Sequence, residues 1–431
     1  MKLLYTPAQF PEPLDYQFSI IDTESLDVQN YGHFIEINED KFYGSQARHR
    51  ASRPFGVSWN QENLFVANRT NLIKFDKNLN QTNHYDIFFC NQNSSLINKF
   101  ISKNKYSKVF ILVDSNTYKY CLSLFLEKYL NEIKAKLITI KNGEENKNTK
   151  NLHSVWIKIS KLGGDRNSLL INLGGGLVSD LGGFVASTYN RGIDFVNVPT
   201  TLLSMVDASI GGKVGININK LKNQVGVFNY PKLILIDTSF LETLPKRELN
   251  SGFAEMIKHG LIFEKKYYEM LSELKYIDSK LSTELIYNSI KIKNEIVKND
   301  PKEKNLRKIL NFGHTLGHAI ESHFLGKKKS KTLLHGEAIS IGMVLESYIS
   351  YKILRMPYEQ CLNIKKTISS KFQKIKINKD DSKSIINLIK FDKKSKDGKV
   401  LFALLSEIGK AKINIEVPKK TIIESLEYYK S

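Results

Sequence analysis

Cysteine is scarce in this 431-residue chain: Cys90, Cys121 and Cys361 are far apart, odd in number and in no metal or redox spacing. That argues against a disulfide framework and a thiolate metal site, and for a reducing compartment, the cytoplasm. Long apolar runs are lacking too. None approaches the roughly 20 residues that a membrane helix needs, and residues 1–7 carry no extended apolar segment of a secretory signal. Arginine-rich or aromatic-interleaved basic patches are also missing. The net charge is +20, from 64 basic and 44 acidic residues, but the lysines are spread along the whole chain. Nucleic acid is therefore not the expected partner, whereas an anionic small molecule is compatible. What is present is an ordinary globular composition, 41% hydrophobic and 25% charged, at a length that suits two or three domains.

The chain divides by pattern. Residues 1–82 hold short β-like runs (34–37, 64–67, 72–75) between Asn-rich turns, and residues 53–75 faintly resemble one propeller blade. One blade cannot close a propeller, so a small β-rich appendage is expected. Arg48, His49, Arg50 and Arg53 cluster there as a solvated basic loop, and no catalytic cluster is visible. Residues 83–244 alternate apolar strands (108–113, 135–140, 169–173) with helices (118–133, 152–161), the signature of a doubly wound, Rossmann-like parallel sheet in an α/β fold. Residues 245–431 turn helical, with a basic loop at 327–331, so an all-helical domain is expected to follow.

Residues 169–260 are the densest in chemistry. An apolar run ends in Gly174, Gly175 and Gly176, and helix-compatible spacing follows to residue 189. A helix N-terminus behind a glycine turn suits an anion. The pattern is Gly-x-Gly-x-x-Ser, with Ser179 last, so the turn alone equally fits a bare strand–helix connection. Beyond it come Thr200 and Thr201, then Asp207, Lys213, Lys222 and Asn223 among glycines. Charges in such a setting are poor core material, and two lysines near an anion-binding turn point to a phosphorylated or carboxylated substrate. Glu255 and Lys258, at i and i+3, share a helix face, where a surface ion pair is the plain alternative.

Five of the nine histidines, His259, His314, His318, His323 and His335, fall in the helical part. His314 and His318 are at i and i+4 on one face, and His335 opens the next helix 21 residues after His314. With Glu255, two imidazoles and a carboxylate match a catalytic zinc site with an open position.

The blocks at 174–180, 198–203, 206–213, 254–258 and 311–318 together resemble the 3-dehydroquinate synthase family, within the sugar phosphate cyclases, over residues 84–412. The resemblance implies a zinc- and NAD-dependent cyclase of the shikimate pathway, a cytoplasmic homodimer acting on a small phosphorylated sugar acid, with Co2+ as a possible substitute for Zn2+. It implies zinc ligands Glu255, His314 and His335. It implies NAD contacts at Asp114, Ser115, Asn116, Glu144, Glu145, Asn146, Lys147, Gly175, Gly176, Leu177, Asp180, Thr200, Thr201, Lys222, Phe240, Leu241, Glu242 and Thr243. Substrate should meet Arg191, Asp207, Lys213, Asn223, Lys293, Arg307, Asn311 and one of Lys393 and Lys394, taken as Lys394. Catalytic roles should fall to Lys213, Lys258, Lys293, Glu303 and His318.

Ser179 stands where the family usually has glycine, so the cofactor turn is expected to differ slightly. Asn305 replaces a usual glycine in the block before Arg307 and Pro301 is unusual there, and none of these removes an implied ligand. Competing readings are a cyclase for another sugar phosphate, such as a 2-epi-5-epi-valiolone synthase-like enzyme, an iron-dependent alcohol dehydrogenase, and a non-catalytic binding protein. Asn311 and His318, changed in the related cyclases, favour dehydroquinate synthase. The Asn-x-Gly-His-x-x-Gly-His block disfavours the dehydrogenase. Retention of every implied zinc ligand and of Lys213 disfavours the binding protein.

Overall fold

The computed structural model describes the backbone of the strands within residues 2–89 and residues 95–431, apart from 131–132, 219–220, 276, 279–280, 326–331, 390–394 and 397–398. The basic cluster Arg48, His49, Arg50 and Arg53, the loop 327–331, Cys90, Lys393 and Lys394 lie outside the described residues. Two compact units result, 1–93 and 94–431.

In the first unit, strands Glu36–Asn38, Lys41–Tyr43, Gly56–Asn60, Asn63–Ala67 and Leu72–Asp76 pair antiparallel in sequence order. Lys2–Tyr5, Ser19–Asp22 and Val28–Gln29 form a separate antiparallel sheet. These are the short β runs expected there.

The second unit begins with helices α1 (Ser95–Asn104), α2 (Ser115–Tyr120), α3 (Leu122–Tyr129), α4 (Thr149–Lys161) and α5 (Gly176–Thr188), set among parallel strands. The single helix expected over 118–133 is two, α2 and α3. α2 starts at Ser115 because Asp114, at the end of its strand, caps it, accepting from Asn116 N and Thr117 N. Five strands of this unit stand in the spatial order Lys136–Ile140, Lys108–Asp114, Ser168–Gly174, Asp194–Pro199, Leu233–Ile236, all parallel. In chain order that is 2-1-3-4-5, which reverses between the first and third strands and opens a ligand crevice at their carboxyl ends. Asp114 and Gly174 end those two strands. Every residue of Ser168–Gly174 is buried, as a strand covered on both faces must be. Phe110, Leu112, Leu170, Val178, Leu181 and Phe195 form part of the core beneath.

Between the last two strands the chain inserts a π-turn, Ser204–Ala208, and a hairpin, Lys213–Ile218 with Leu221–Phe228. The helical part then contains α6 (Lys246–Phe263), α7 (Lys265–Glu273), α8 (Thr283–Asn299), α9 (His314–Leu325), α10 (His335–Leu354), α11 (Tyr358–Lys371), α12 (Lys379–Ile389) and α13 (Lys419–Lys430). It also holds something the sequence reading did not include: an antiparallel hairpin, Lys399–Glu407 with Lys410–Glu416, turning at Gly409 (φ +92°). Phe402, Leu404 and Leu405 are buried, and Leu405 N donates to Ser350 Oγ of α10 at 2.9 Å. The polar–apolar alternation of residues 410–416 was its available signal.

Candidate active site

Three helices bring the metal candidates together, and glycine lets them do so. A Cβ on Gly336 would lie 2.0 Å from Ser251 O of α6, and one on Gly342 would lie 1.9 Å from Gly313 O. Any larger residue would push α10 away from α6 or from the start of α9. Gly313 itself needs φ +76°, a left-handed backbone. The start of α9 is held by Glu346, a fully buried carboxylate of α10 that accepts from Gly313 N at 2.7 Å and Leu316 N at 3.0 Å. Negative charge at a helix N-terminus is the favourable sign.

Glu255, on α6, is 0% exposed. His314 Nε2 lies 3.5 Å and His335 Nε2 3.3 Å from its Oε1. The other ring nitrogens are committed: His314 Nδ1 donates to Phe312 O at 3.0 Å and His335 Nδ1 to Glu321 Oε2 at 3.3 Å. Both acceptors can only accept, so each Nδ1 carries its proton and each Nε2 is left to offer a lone pair when the ring is neutral. Neither carboxylate oxygen of Glu255 receives a hydrogen bond, although Oε2 ion-pairs with Lys258. An acceptor so deeply buried, facing two imidazoles, fits a divalent cation such as zinc. Burial alone would raise the pKa of Glu255, but Lys258 and His314 outweigh it and hold the carboxyl below its usual range. Burial likewise disfavours charge on His335, but Glu321 and Glu255 outweigh it and push the ring up to about 9. His318 joins the group, its ring 5.1 Å from that of His314 and 5.8 Å from that of His335. One ring nitrogen from each of the three lies within 4.8 Å of the others.

Next to this cluster is a group of cations on one carboxylate. The π-turn presents Asp207, whose Oδ1 accepts from Lys293 Nζ at 2.6 Å and lies 3.9 Å from Lys258 Nζ. His259 closes the group, with Nε2 3.8 Å from Asp207 Oδ1 and Nδ1 2.7 Å from Ser289 Oγ. The Glu255–Lys258 pair is an ion pair but not a surface one, since both side chains are at most 1% exposed. Burial depresses the Lys293 ammonium to about 8 against the pull of Asp207. Nearby, Lys213 ion-pairs with Glu303, which also accepts from Asn311 Nδ2 at 2.9 Å. Arg307 is 2% exposed and braces the loop, donating to Pro301 O at 2.6 Å and Gly211 O at 2.9 Å. Pro301 thus serves through its carbonyl. Asn305 has a negative φ (−135°), so its backbone is not left-handed.

The dinucleotide candidates gather at the switch point. Gly175 N-caps α5, and a Cβ on it would meet Thr201 Cγ2 at 3.1 Å. Leu177 is buried in the first turn, as the start of a sheet-packed helix should be. Ser179, in place of the usual glycine, turns its hydroxyl back to Gly175 O and Gly176 O within the first turn. The close helix–sheet approach falls instead at Gly182, whose Cβ would lie 1.9 Å from Asn172 Oδ1. Gly175 offers no side-chain cap to the helix N-terminus, so the first turn of α5 fits a pyrophosphate. Lys147 Nζ reaches Asp180 Oδ2 at 2.9 Å and Glu144 Oε1 at 3.0 Å, and Lys222 Nζ lies 3.7 Å from the same Glu144 oxygen. Burial would raise the Glu144 carboxyl, but these two lysines lower it to about 2. Glu144, Glu145, Asn217 and Lys222 line a cavity of about 460 Å³. Asn146 Nδ2 donates to Asn142 O at 2.8 Å. Ser115 joins the neighbouring strand end through Asn142 Oδ1 at 2.9 Å.

Thr200 and Thr243 meet at the buried Cys121 thiol, which burial pushes up to about 11. Phe240 and Leu241 are buried core residues of the 3-10 turn Thr238–Thr243, while Glu242 is exposed. Arg191 is not brought to either cluster by its own backbone: it is exposed at the far end of the 13-residue α5 from the glycine turn, in a left-handed run (φ 50°, 68° and 120° for Asn190, Arg191 and Gly192). Asn223, also left-handed at φ 50°, is exposed on the hairpin, its N–H on Asn217 Oδ1 at 2.9 Å. The residues that the sequence reading gave no role are Glu321, Glu346, His259 and Asn217. For Glu321 a signal existed: with His314 and His318 it completes an i, i+4, i+7 stripe on α9.

A parallel sheet with a switch-point crevice, joined to a helical part with a His–Glu cluster, is an arrangement known from solved enzymes. The 2-deoxy-scyllo-inosose synthase structure complexed with carbaglucose-6-phosphate, NAD+ and Co2+ superimposes with a TM-score of 0.69 at 24% identity, covering 80% of this chain and 96% of that one. ValA, the 2-epi-5-epi-valiolone synthase of Streptomyces hygroscopicus, with NAD+ and Zn2+ bound, gives 0.67 at 23% identity, covering 81% and 97%. At such identities the likeness shows the fold. Sequence relatives go further, and they make this chain an enzyme of the sugar phosphate cyclase class. The 3-dehydroquinate synthase of Parabacteroides distasonis is 41% identical over 346 residues, 80% of this chain and 97% of that protein. The family profiles for the 3-dehydroquinate synthase N-terminal and C-terminal parts match residues 137–251 and 252–395. The chain belongs to the 3-dehydroquinate synthase family.

Proposed function

We infer that this chain is a 3-dehydroquinate synthase. It converts 3-deoxy-D-arabino-heptulosonate 7-phosphate to 3-dehydroquinate and phosphate, acting as a carbon–oxygen lyase in the shikimate route to aromatic amino acids. The observation that carries the reading is Glu255 Oε1, fully buried and facing Nε2 of both His314 and His335, with Lys258 and Lys293 gathered on Asp207 beside it.

Glu255, His314 and His335 would hold zinc, or cobalt in its place. The turn at Gly175, Gly176 and Leu177 would hold the NAD pyrophosphate, with Asp114, Ser115, Asn116, Glu144, Glu145, Asn146, Lys147, Asp180, Thr200, Thr201, Lys222 and the turn 240–243 around the rest. When bound, zinc lowers the pKa of a secondary hydroxyl, while NAD takes up a hydride and later returns it. The chain's own work is to hold a substrate with two anionic ends in one geometry. Lys213, Lys258 and Lys293 supply the cations, and charge-assisted hydrogen bonds to carboxylate or phosphate are the strong kind. Asp207 gathers two of those lysines, Lys258 and Lys293, on one carboxylate oxygen. Glu303 positions Lys213 and Asn311. His318, against the ligand imidazoles, is placed to move a proton. Arg191, Asn223, Arg307 and Lys394 are further substrate contacts on the family resemblance.

In this reading residues 83–244 are the NAD-binding part and 245–431 the metal- and substrate-binding part of a cytoplasmic homodimer. Residues 1–82 are dispensable for chemistry, since a relative is matched over 97% of its length by 80% of this chain. A chain starting near residue 83 should keep turnover per bound zinc within about threefold, and a loss beyond roughly a hundredfold, about 2.7 kcal/mol, would give the segment a catalytic part. The function itself is tested by phosphate release from the heptulosonate phosphate with zinc and NAD. Release that needs both supports it, whereas release only from a heptulose phosphate lacking the carboxylate would assign a related cyclase instead.

A further inference from the structure

The metal cluster and the dinucleotide cavity are joined by an unbroken chain of charges. From the metal side, His335 Nδ1 donates to Glu321 Oε2 at 3.3 Å. The other oxygen of Glu321 accepts from Lys222 Nζ at 2.6 Å. Lys222 lies 3.7 Å from Glu144 Oε1, Glu144 takes Lys147 at 3.0 Å, and Lys147 takes Asp180 at 2.9 Å. Lys222 and Glu144 both line the cavity, as does Leu325, one turn beyond Glu321 on α9. The Glu321 side chain is only 4% exposed, so its charge depends on these two partners.

We propose that Glu321 is a positioning residue linking the two sites, so that a dinucleotide in the cavity and a divalent cation on His335 each tighten the binding of the other. The proposal rests on the zinc and NAD reading above. A ligand filling the cavity removes water from around Lys222, and the Lys222–Glu321 pair then interacts in a lower dielectric. That holds the carboxylate against Nδ1 of His335 and keeps the ring turned with Nε2 toward Glu255. In the other direction, a cation on Nε2 draws electron density from the ring and makes Nδ1–H a stronger donor to Glu321. Glu321 then holds Lys222 at the cavity wall. Thermodynamic linkage requires the two effects to be equal.

The test is a zinc titration of the metal-stripped full chain against a chromophoric chelator, with and without saturating NAD. The wild type should bind zinc about tenfold more tightly with NAD present. Glu321→Gln should weaken zinc binding roughly 10–100-fold without NAD and reduce the NAD enhancement to below about twofold. Lys222→Gln should weaken NAD-free zinc binding less than Glu321→Gln does, yet lose the enhancement even when NAD is raised to saturation. This second variant stands in if Glu321→Gln does not fold, and a purely structural role for Glu321 would not produce its pattern. Zinc affinity unmoved by NAD in a wild type that binds both ligands overturns the link and leaves the proposed function standing. Enhancement that survives in either variant also overturns it. A chain that binds neither zinc nor NAD overturns the function and the link together.

Discussion

The candidate metal cluster and the cationic cluster proposed to meet substrate are built by different means. Glu255, His314 and His335 are placed by packing: helices in van der Waals contact through Gly336 and Gly342, a buried carboxylate on the start of α9, and both Nδ1 atoms occupied. The cationic side is placed by charge. Lys213, Lys258, Lys293, Lys147 and Lys222 each rest on a carboxylate, namely Glu303, Asp207, Asp180, Glu144 or Glu321. A cation needs donors fixed to a fraction of an ångström, which close-packed backbone supplies. A substrate that is bound, converted and released needs cations that exchange one anionic partner for another. Ion pairs between lysines and carboxylates allow that exchange without moving the fold.

The difference can be broken most severely from the metal side. His314→Ala should abolish stoichiometric zinc and lower turnover by more than about a thousandfold, roughly 4 kcal/mol in the barrier. Metal analysis of the purified variant checks it, and retained stoichiometric zinc would remove His314 from the ligand set.

Paired glycine substitutions sharpen the contrast. Gly336→Ala forces a Cβ to 2.0 Å from a backbone carbonyl, whereas Gly175→Ala meets only a threonine methyl at 3.1 Å. The first should cost about 1–3 kcal/mol of stability, with lowered zinc occupancy. The second should leave the denaturation midpoint nearly unchanged and weaken NAD instead. Denaturant midpoints and NAD titration separate the two, and equal stability losses would mean that the dinucleotide turn is packed as tightly as the metal cluster.

A smaller effect tests the charge-built side. Lys293 holds its proton up to pH about 8 in the folded chain, against an ordinary 10.5. Below pH 8 the ammonium is present to meet an anionic substrate, and above it the charge is lost. The value of kcat/KM should therefore fall about tenfold per pH unit above pH 8, and Lys293→Arg should remove that limb. Between pH 8 and 10.5 the unfolded chain binds the extra proton, so this group makes stability rise with pH. Loss of activity in that window is then not unfolding caused by Lys293. A profile flat to pH 9.5 in the wild type contradicts the assignment.

Much of this was legible in the sequence because local pattern and function coincide. Apolar strands ending in Gly174 and Asp114 announce the parallel sheet, and the His spacing on α9 announces that imidazoles cluster there. What was not legible depends on partners distant in sequence. Glu321 gains its meaning only when Lys222, 99 residues earlier, reaches it from the hairpin. Asp207 is aimed by a π-turn, which leaves no periodic signal. The 399–416 hairpin was overlooked because an apolar run such as 400–405 reads equally as helix or strand until tertiary packing decides. The guanidinium of Arg307 also holds the Pro301 and Gly211 carbonyls, contacts that no spacing encodes.

The central claim is that the nicotinamide cofactor is needed and not consumed. It is tested most directly by following phosphate release and the absorbance of reduced nicotinamide together, with zinc-loaded chain, the heptulosonate phosphate and NAD near enzyme concentration. The account predicts many phosphates released per NAD, with no net rise in absorbance once steady state is reached. One reduced cofactor formed for each substrate consumed, with turnover stopping when NAD is exhausted, would contradict it and make this chain a dehydrogenase.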